Sequence, residues 1–232
     1  MKDYDSDLDV RNPAARVPVV VLLDCSGSME GEPIDELNRG LQRFFDEIRD
    51  DDAASVSAEI ALATFASEAR LEHGFASVFD YPDDLPPFKA EGLTATGAAL
   101  ELAEKLLAER EALYRAKGIP HYKPWVIVLT DGEPVPDKGW REPAERFKAR
   151  AMAGELTYLC VGVGDSINKE TLAELSAKEP GVVRLQGLKF SAFFCWLSAS
   201  MHDVSVGSPG SGENVRLRGI GGWARYLGGP AR

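Results

Sequence analysis

Cysteine is scarce in this chain: Cys25, Cys160 and Cys195 are odd in number and far apart, with no C-x-x-C pair and no alternating Cys/His spacing. That excludes a disulfide scaffold and a structural zinc site, and it points to a reducing compartment. Long apolar runs are missing too. Nothing approaches the ~18 residues of a membrane span, and no N-terminal apolar h-region of a signal peptide follows the acidic start MKDYDSDLDV. The expectation is a cytoplasmic protein with no membrane partner. Positive charge is in deficit, with 26 Lys and Arg against 37 Asp and Glu, a net −11. Such a surface repels a phosphate polyanion, so nucleic acid is set aside as a partner. The common catalytic signatures are absent as well. There is no G-K-[ST] of a P-loop, and Asp24 stands where a G-x-S-x-G elbow needs its first Gly.

What the sequence does have is material for a core. With 232 residues and 44% apolar content, it fits one large domain or one domain plus a tail. Val17 to Leu23 is a continuous aliphatic run, the pattern of a strand covered on both faces. From Pro33, the residues Ile34, Leu37, Leu41, Phe44, Phe45 and Ile48 recur at steps of three and four, which predicts an amphipathic helix ending at the Asp50 to Asp52 cluster. Further strands are predicted over 56–65, 125–129, 156–164 and 182–186, with a weaker edge strand over 71–79. Helices are predicted over 98–114, 142–153, 169–177 and 191–200. Strands alternating with helices give an α/β fold: a doubly wound, mostly parallel sheet with helices on both faces. Residues 1–15 read as a loose leader and 16–203 as the domain. Residues 204–232 are rich in Gly, Ser and Pro, with four arginines against Glu213, and read as a flexible or partner-ordered tail. Trp223 and Tyr226 are the exception within it, aromatic anchors able to dock.

Two of the apolar runs end in an acid, Asp24 and Asp131. In an open α/β sheet, ligands bind beyond the carboxyl ends of the strands, where strand order reverses. If these two strands are neighbours, both carboxylates converge on one crevice. Ser26 and Ser28, separated by Gly27, can point the same way from an extended loop, and Thr94 or Thr96 opens the helix that follows GLTATG. Two Asp and three hydroxyls make an all-oxygen set suited to a hard divalent cation, Mg²⁺ first, with Mn²⁺ or Ca²⁺ as alternatives. Glu133 and Asp137 sit beside this set as loop-solvating residues, and His73 and His121 stand alone as surface residues.

D-x-S-x-S at Asp24, Ser26 and Ser28, a Thr in GLTATGAAL and an Asp in LTDG together resemble the metal-ion-dependent adhesion site of von Willebrand factor A domains. The resemblance covers about residues 15 to 200, in the family's order. It implies that Ser26, Ser28 and Thr94 bind the metal directly, with Asp24 and Asp131 bonding directly or through water. Thr94 is preferred over Thr96 because the family pattern places its threonine just after a Gly-x pair and three residues before a small residue, here Gly97. Cys25 and Leu93 depart mildly from the pattern without removing a ligand. Within the family, SGSMEGEPIDELNRGLQ, LTDGEPVPD and FFCWLSAS look most like the TerY-like proteins of bacterial tellurite-resistance and stress operons.

The implied function is a protein-interaction module, not an enzyme, in which a partner's Asp or Glu completes the shell of the cation. A protein kinase and a PP2C-type phosphatase are the partners the resemblance suggests. Two alternatives are carried with it. One is a Mg²⁺-dependent hydrolase or phosphatase, weakened by Ser26 standing where a D-x-D motif needs its second acid. The other is a metal-independent scaffold.

Overall fold

A computed structural model describes residues 8–132, 134, 139–164, 169–178, 181–206 and 222–227. Glu133, Asp137, residues 1–7 of the leader and 207–221 and 228–232 of the tail lie outside the described residues. Seven strands form one sheet: β1 (Val17–Asp24), β2 (Ala58–Phe65), β3 (Ala69–Ala76), β4 (Trp125–Thr130), β5 (Thr157–Gly162), β6 (Val183–Leu185) and β7 (Ala224–Tyr226). Their order is β3-β2-β1-β4-β5-β6-β7. The five inner strands run parallel, and β3 and β7 pair antiparallel at the two edges. Every residue of β1, β2 and β4 is buried, which is why β1 and β4 read as unbroken apolar runs without alternation.

The helices are α1 (Glu32–Arg49), the single turn α2 (Ala54–Ser57), α3 (Thr96–Lys117), α4 (Arg141–Met152), α5 (Lys169–Leu175) and α6 (Phe190–Ser205). They divide between the faces by the two-residue period of the strands. Val17, Val19, Val21 and Leu23 join one core with α1 and α6, whereas Val20 and Leu22 join the other with α3, α4 and α5. Gly40 lets α6 close on α1: a Cβ there would meet the Phe194 ring at 2.9 Å and the Phe190 Cβ at 3.0 Å. The resulting cluster of Phe44, Phe45, Phe193 and Phe194 is fully buried, and each such ring contributes about 1.5–3 kcal/mol of transfer free energy.

At the base of the sheet, opposite the ligand edge, Glu59 accepts from Arg16 at 3.1 Å, from Arg110 at 2.6 and 2.8 Å, and from the Tyr114 hydroxyl. Arg16 also donates to the carbonyls of Asp9 and Asn12. Together with the bond from Asn12 Nδ2 to Val56 O at 2.8 Å, this holds residues 9–16 against the domain, so the described part of the leader is not loose.

Two further expectations are corrected. The strand predicted from residue 56 begins at Ala58, because Ala54 to Ser57 form a helical turn whose amides at Ala53 and Ala54 are taken by the Asp51 carboxylate. The tail is not uniformly flexible. Helix α6 continues through Ser205, and β7 pairs with β6 through Val183↔Tyr226, Arg184↔Arg225 and Leu185↔Ala224. Trp223 is buried against Phe193 and Trp196, with ring centroids 5.0 and 4.9 Å away. An aromatic anchor outweighed the Gly-rich composition around it.

Candidate functional site

The strand order reverses at β1. The chain leaves β1 for β2 on one side and returns on the other side with β4, so the ends of β1 and β4 flank the switch point. Their register, Leu23↔Leu129, sets Asp24 beside Thr130. Asp24 is fully buried; its Oδ1 accepts from the Ser26 amide at 2.9 Å and its Oδ2 from the Thr130 hydroxyl at 2.5 Å. Beyond it, the turn through Ser26 to Met29 brings Ser26 Oγ and Ser28 Oγ within 3.0 Å of each other. Ser28 Oγ donates to Asp131 Oδ1 at 2.7 Å. Donation to Asp131 leaves lone pairs of the Ser28 oxygen for another ligand.

The third segment arrives through a backbone clasp. The Glu91 amide donates to Cys25 O at 2.8 Å, the Gly27 amide to Gly92 O at 3.0 Å, and the Ala95 amide to Ala66 O at 2.8 Å. Gly92 takes φ +74°, a left-handed conformation that favours glycine, with Ser67 packed where a side chain would go. The clasp sets Thr94 against Gly132: a Cβ on Gly132 would lie 2.7 Å from Thr94 Oγ1 and 3.5 Å from Ser28 Oγ. Thr94, Ser28 and the segment after Asp131 therefore share one small volume. Thr96 is not among the atoms nearest that point. It is the first residue of α3, buried, with a hydroxyl that has no hydrogen-bond partner among the described residues.

All five residues singled out from sequence, Asp24, Ser26, Ser28, Thr94 and Asp131, thus come to the carboxyl ends of β1 and β4. Sequence reasoning missed three that build the site. Thr130 bonds the buried carboxylate, Gly132 makes room for Thr94, and Ser67 accepts from the Leu93 amide at 3.2 Å to fix the loop. The signal for Thr130 was present in LTDG, a polar residue closing an otherwise apolar strand. Neither His73 nor His121 joins the site: His73 stacks on Tyr81 at 4.0 Å and His121 lies 4.9 Å from Tyr114.

The electrostatics are those of a place wanting positive charge. Burial pushes the Asp24 carboxyl up from 3.8 to about 6, against the opposing bonds from Ser26 and Thr130, and the charge of Asp131 adds to the rise. Burial also raises Asp131, opposed by the Ser28 hydroxyl. Among the described residues, no Lys or Arg pairs with Asp24, and no group of three or more His, Cys, Asp or Glu is placed to hold a metal. Any cation here is bound by hydroxyls as much as by charge, the donor set of a hard ion. Cys25 is buried, and its thiol is pushed up to about 12, first by burial and then by Asp24 and Glu72, so it stays protonated and unreactive.

Comparison with known proteins adds the decisive observation. The family model for the von Willebrand factor type A domain matches residues 19–190, from β1 to the start of α6. The chain belongs to this family. As a von Willebrand factor A domain it has curated relatives in inter-alpha-trypsin inhibitor heavy chain H4 of Sus scrofa, 24% identical over 172 residues, and an uncharacterised protein of Synechocystis sp., 29% identical over 161 residues. These matches take 72% and 69% of this chain but only 18% and 35% of the relatives, which are much longer proteins.

Among solved structures, the pilus adhesin SpaC from Lactobacillus rhamnosus GG superposes with a TM-score of 0.62 at 13% identity, covering 82% of this chain and 30% of that one. Proximal thread matrix protein 1 from the mussel byssus gives 0.56 at 22%, covering 83% and 45%, in a form whose metal-ion-dependent adhesion site holds zinc. At these identities the likeness shows the fold. Von Willebrand factor A domains commonly bind a divalent cation at that site and typically mediate metal-dependent protein interactions. No helix among the described residues is long and apolar enough to cross a membrane.

Proposed function

We propose that this chain is a metal-dependent protein-interaction module rather than an enzyme, holding a Mg²⁺-type cation with Asp24, Ser26, Ser28, Thr94 and Asp131 and binding an acidic side chain of a partner protein. The observation that carries the reading is a fully buried Asp24, with no Lys or Arg partner among the described residues, set beside three hydroxyl side chains at the switch point of the sheet. Leaving a carboxylate there without a counter-charge costs free energy that a cation would return. The donors fit such an ion: all are oxygens, two are anionic, and the serine pair is hydrogen-bonded toward Asp131 with lone pairs to spare. When bound, the ion supplies a positive charge able to accept a carboxylate from outside. This chain's own part is to hold that charge at the sheet edge and screen the incoming acid from Asp24 and Asp131. A net charge of −11 makes this screening necessary for any acidic partner.

The finer assignment rests on the motifs SGSMEGEPIDELNRGLQ, LTDGEPVPD and FFCWLSAS, which support a TerY-like component of a bacterial tellurite-resistance or stress-response system, working in the cytoplasm. Its partners would then be a protein kinase and a PP2C-type phosphatase.

The test is thermal unfolding of the full chain with millimolar Mg²⁺ or Mn²⁺ and with chelator, in wild type and Asp24→Ala. Metal is expected to raise the midpoint of wild type alone, as for any ligand that binds only the folded state. Identical responses in the two proteins would rule out the metal site.

A further inference from the structure

Thr94 reaches the candidate metal site on a segment with no helix or strand of its own, residues 81–95. Pro82, Pro86 and Pro87 lack an amide, which bars that stretch from a sheet ladder. Its other backbone groups still need partners, and α1 supplies several. Asn38 donates from Nδ2 to Phe88 O at 2.9 Å and accepts on Oδ1 from the Phe88 amide at 2.9 Å, so one side-chain amide closes both groups of one residue. Gln42, one turn along, donates to Asp83 O at 2.7 Å and accepts from the Leu85 amide at 3.0 Å. Arg49 donates to Tyr81 O at 3.3 Å and Pro82 O at 2.9 Å. Positions 38, 42 and 49 keep to one stripe of the helix. The segment is thus a strap that runs back along α1, from its last turn toward its first.

Leu85, Phe88 and Ala90 also pack on the core that α1 shares. Apolar burial is non-directional and would tolerate a strap displaced along the helix. The amide pairs would not, because each needs a donor and an acceptor at fixed places. Asn38 and Gln42 therefore set the register of the strap. The same helix follows the turn that carries Ser26 and Ser28. Beyond Phe88 the strap enters the clasp at Glu91 and Gly92 and delivers Thr94.

We propose that Asn38 and Gln42 are positioning residues for the metal site, fixing Thr94 relative to Ser26 and Ser28 by pinning the strap to the helix those serines lead into. This rests on the metal-site reading of Thr94. Neither amide touches the ion. With the register lost, a fraction of the molecules carries Thr94 out of place, and apparent metal affinity falls by the fraction left competent. The coupling is reciprocal, so a bound ion must in turn hold the strap down.

The test is Mg²⁺ titration by calorimetry together with hydrogen exchange over residues 81–95, on the full chain as wild type, Asn38→Ala, Asn38→Ala/Gln42→Ala and Arg39→Ala. Asn38 and Gln42 are only half-buried, so the variants are expected to fold. Arg39, on the same helix and paired with Glu36, controls for general damage to α1.

In chelator, the strap should exchange about tenfold faster in the double variant than in wild type or Arg39→Ala, as for the loss of a net hydrogen bond. Mg²⁺ should slow that exchange in wild type. Mg²⁺ affinity should fall about two- to tenfold in the double variant, less in Asn38→Ala, and stay unchanged in Arg39→Ala. Equal affinity in wild type and double variant, an equal loss in Arg39→Ala, or strap exchange indifferent to Mg²⁺ in a wild type that binds the ion overturns the positioning role and leaves the metal site standing. A wild type that binds no Mg²⁺ overturns the metal site itself, and the positioning role with it.

Discussion

Replacing Asp24 by Asn should make the metal-free protein more stable, and the structure sets the size of the gain. The Asp24 carboxyl is raised from an ordinary 3.8 to about 6, chiefly by burial. An acid whose folded value is raised above its unfolded value supports the fold fully only below the unfolded value, and that support is lost as pH climbs through the folded one. For Asp24 the window runs from about pH 4 to about pH 6. Above it, at 1.36 kcal/mol per tenfold change, the ionised carboxylate costs the metal-free fold about 3 kcal/mol. Asparagine removes the charge and keeps Oδ1 for the Ser26 amide. It cannot accept the Thr130 hydroxyl through its nitrogen, so that hydroxyl must rotate and accept instead, and part of a charge-assisted bond is forfeited.

The expected net gain is about 1–2 kcal/mol at pH 7.5 in chelator. For a chain of this size that is a rise of about 2–8 °C in midpoint. Urea or thermal melts from pH 4 to 8 measure it. The gap between variant and wild type should close as pH falls below the window, and Mg²⁺ should lift only the wild type. A variant less stable than wild type in chelator at pH 7.5, or a gain unchanged at pH 4, would refute the reasoning.

Three further outcomes follow from the same geometry. Thr94→Ala should abolish the Mg²⁺-induced rise in midpoint, whereas Thr96→Val, which replaces a buried hydroxyl lacking a partner, should preserve that rise and add up to about 1 kcal/mol of stability in urea titration. Gly132→Ala should weaken Mg²⁺ affinity in calorimetry by about tenfold or more, because its Cβ would press on Thr94 Oγ1 at 2.7 Å. Trp223→Ala should cost about 3–5 kcal/mol by denaturant unfolding, since the ring is packed between Phe193 and Trp196. A loss below about 1 kcal/mol would return that segment to the status of an appendage.

What the sequence made legible and what it hid have separable physical causes. β1 and β4 were readable because burial on both faces leaves no alternation and polar residues only where each strand ends, at Asp24 and at Thr130 with Asp131 just beyond. α1 was readable because its apolar residues form one helical stripe that enters one core, shared with α6 and one face of the sheet. Asp24, Ser26 and Ser28 were grouped by local spacing, but grouping them with Thr94 and Asp131 needed the strand order, supplied by the family pattern. Thr130 and Gly132 escaped because their roles are long-range: one bonds a carboxylate 106 residues earlier, the other leaves space for Thr94. β7 was hidden for the opposite reason. Three residues carry no periodicity, and only the packing of Trp223 decides for them.

That short strand also changes where the folding unit stops. The family match ends at residue 190, and composition placed the boundary at 203, yet β6 has three residues and is covered on its outer side by β7. A fragment cut at 203 would bare Phe193 and Trp196, one cut at 190 would lose α6 and bare Phe44, and either would leave an unpaired strand as a sticky margin for other chains. Cut after Leu227, whose amide still bonds Val182 O at 2.9 Å, the same sheet carries its own selvedge.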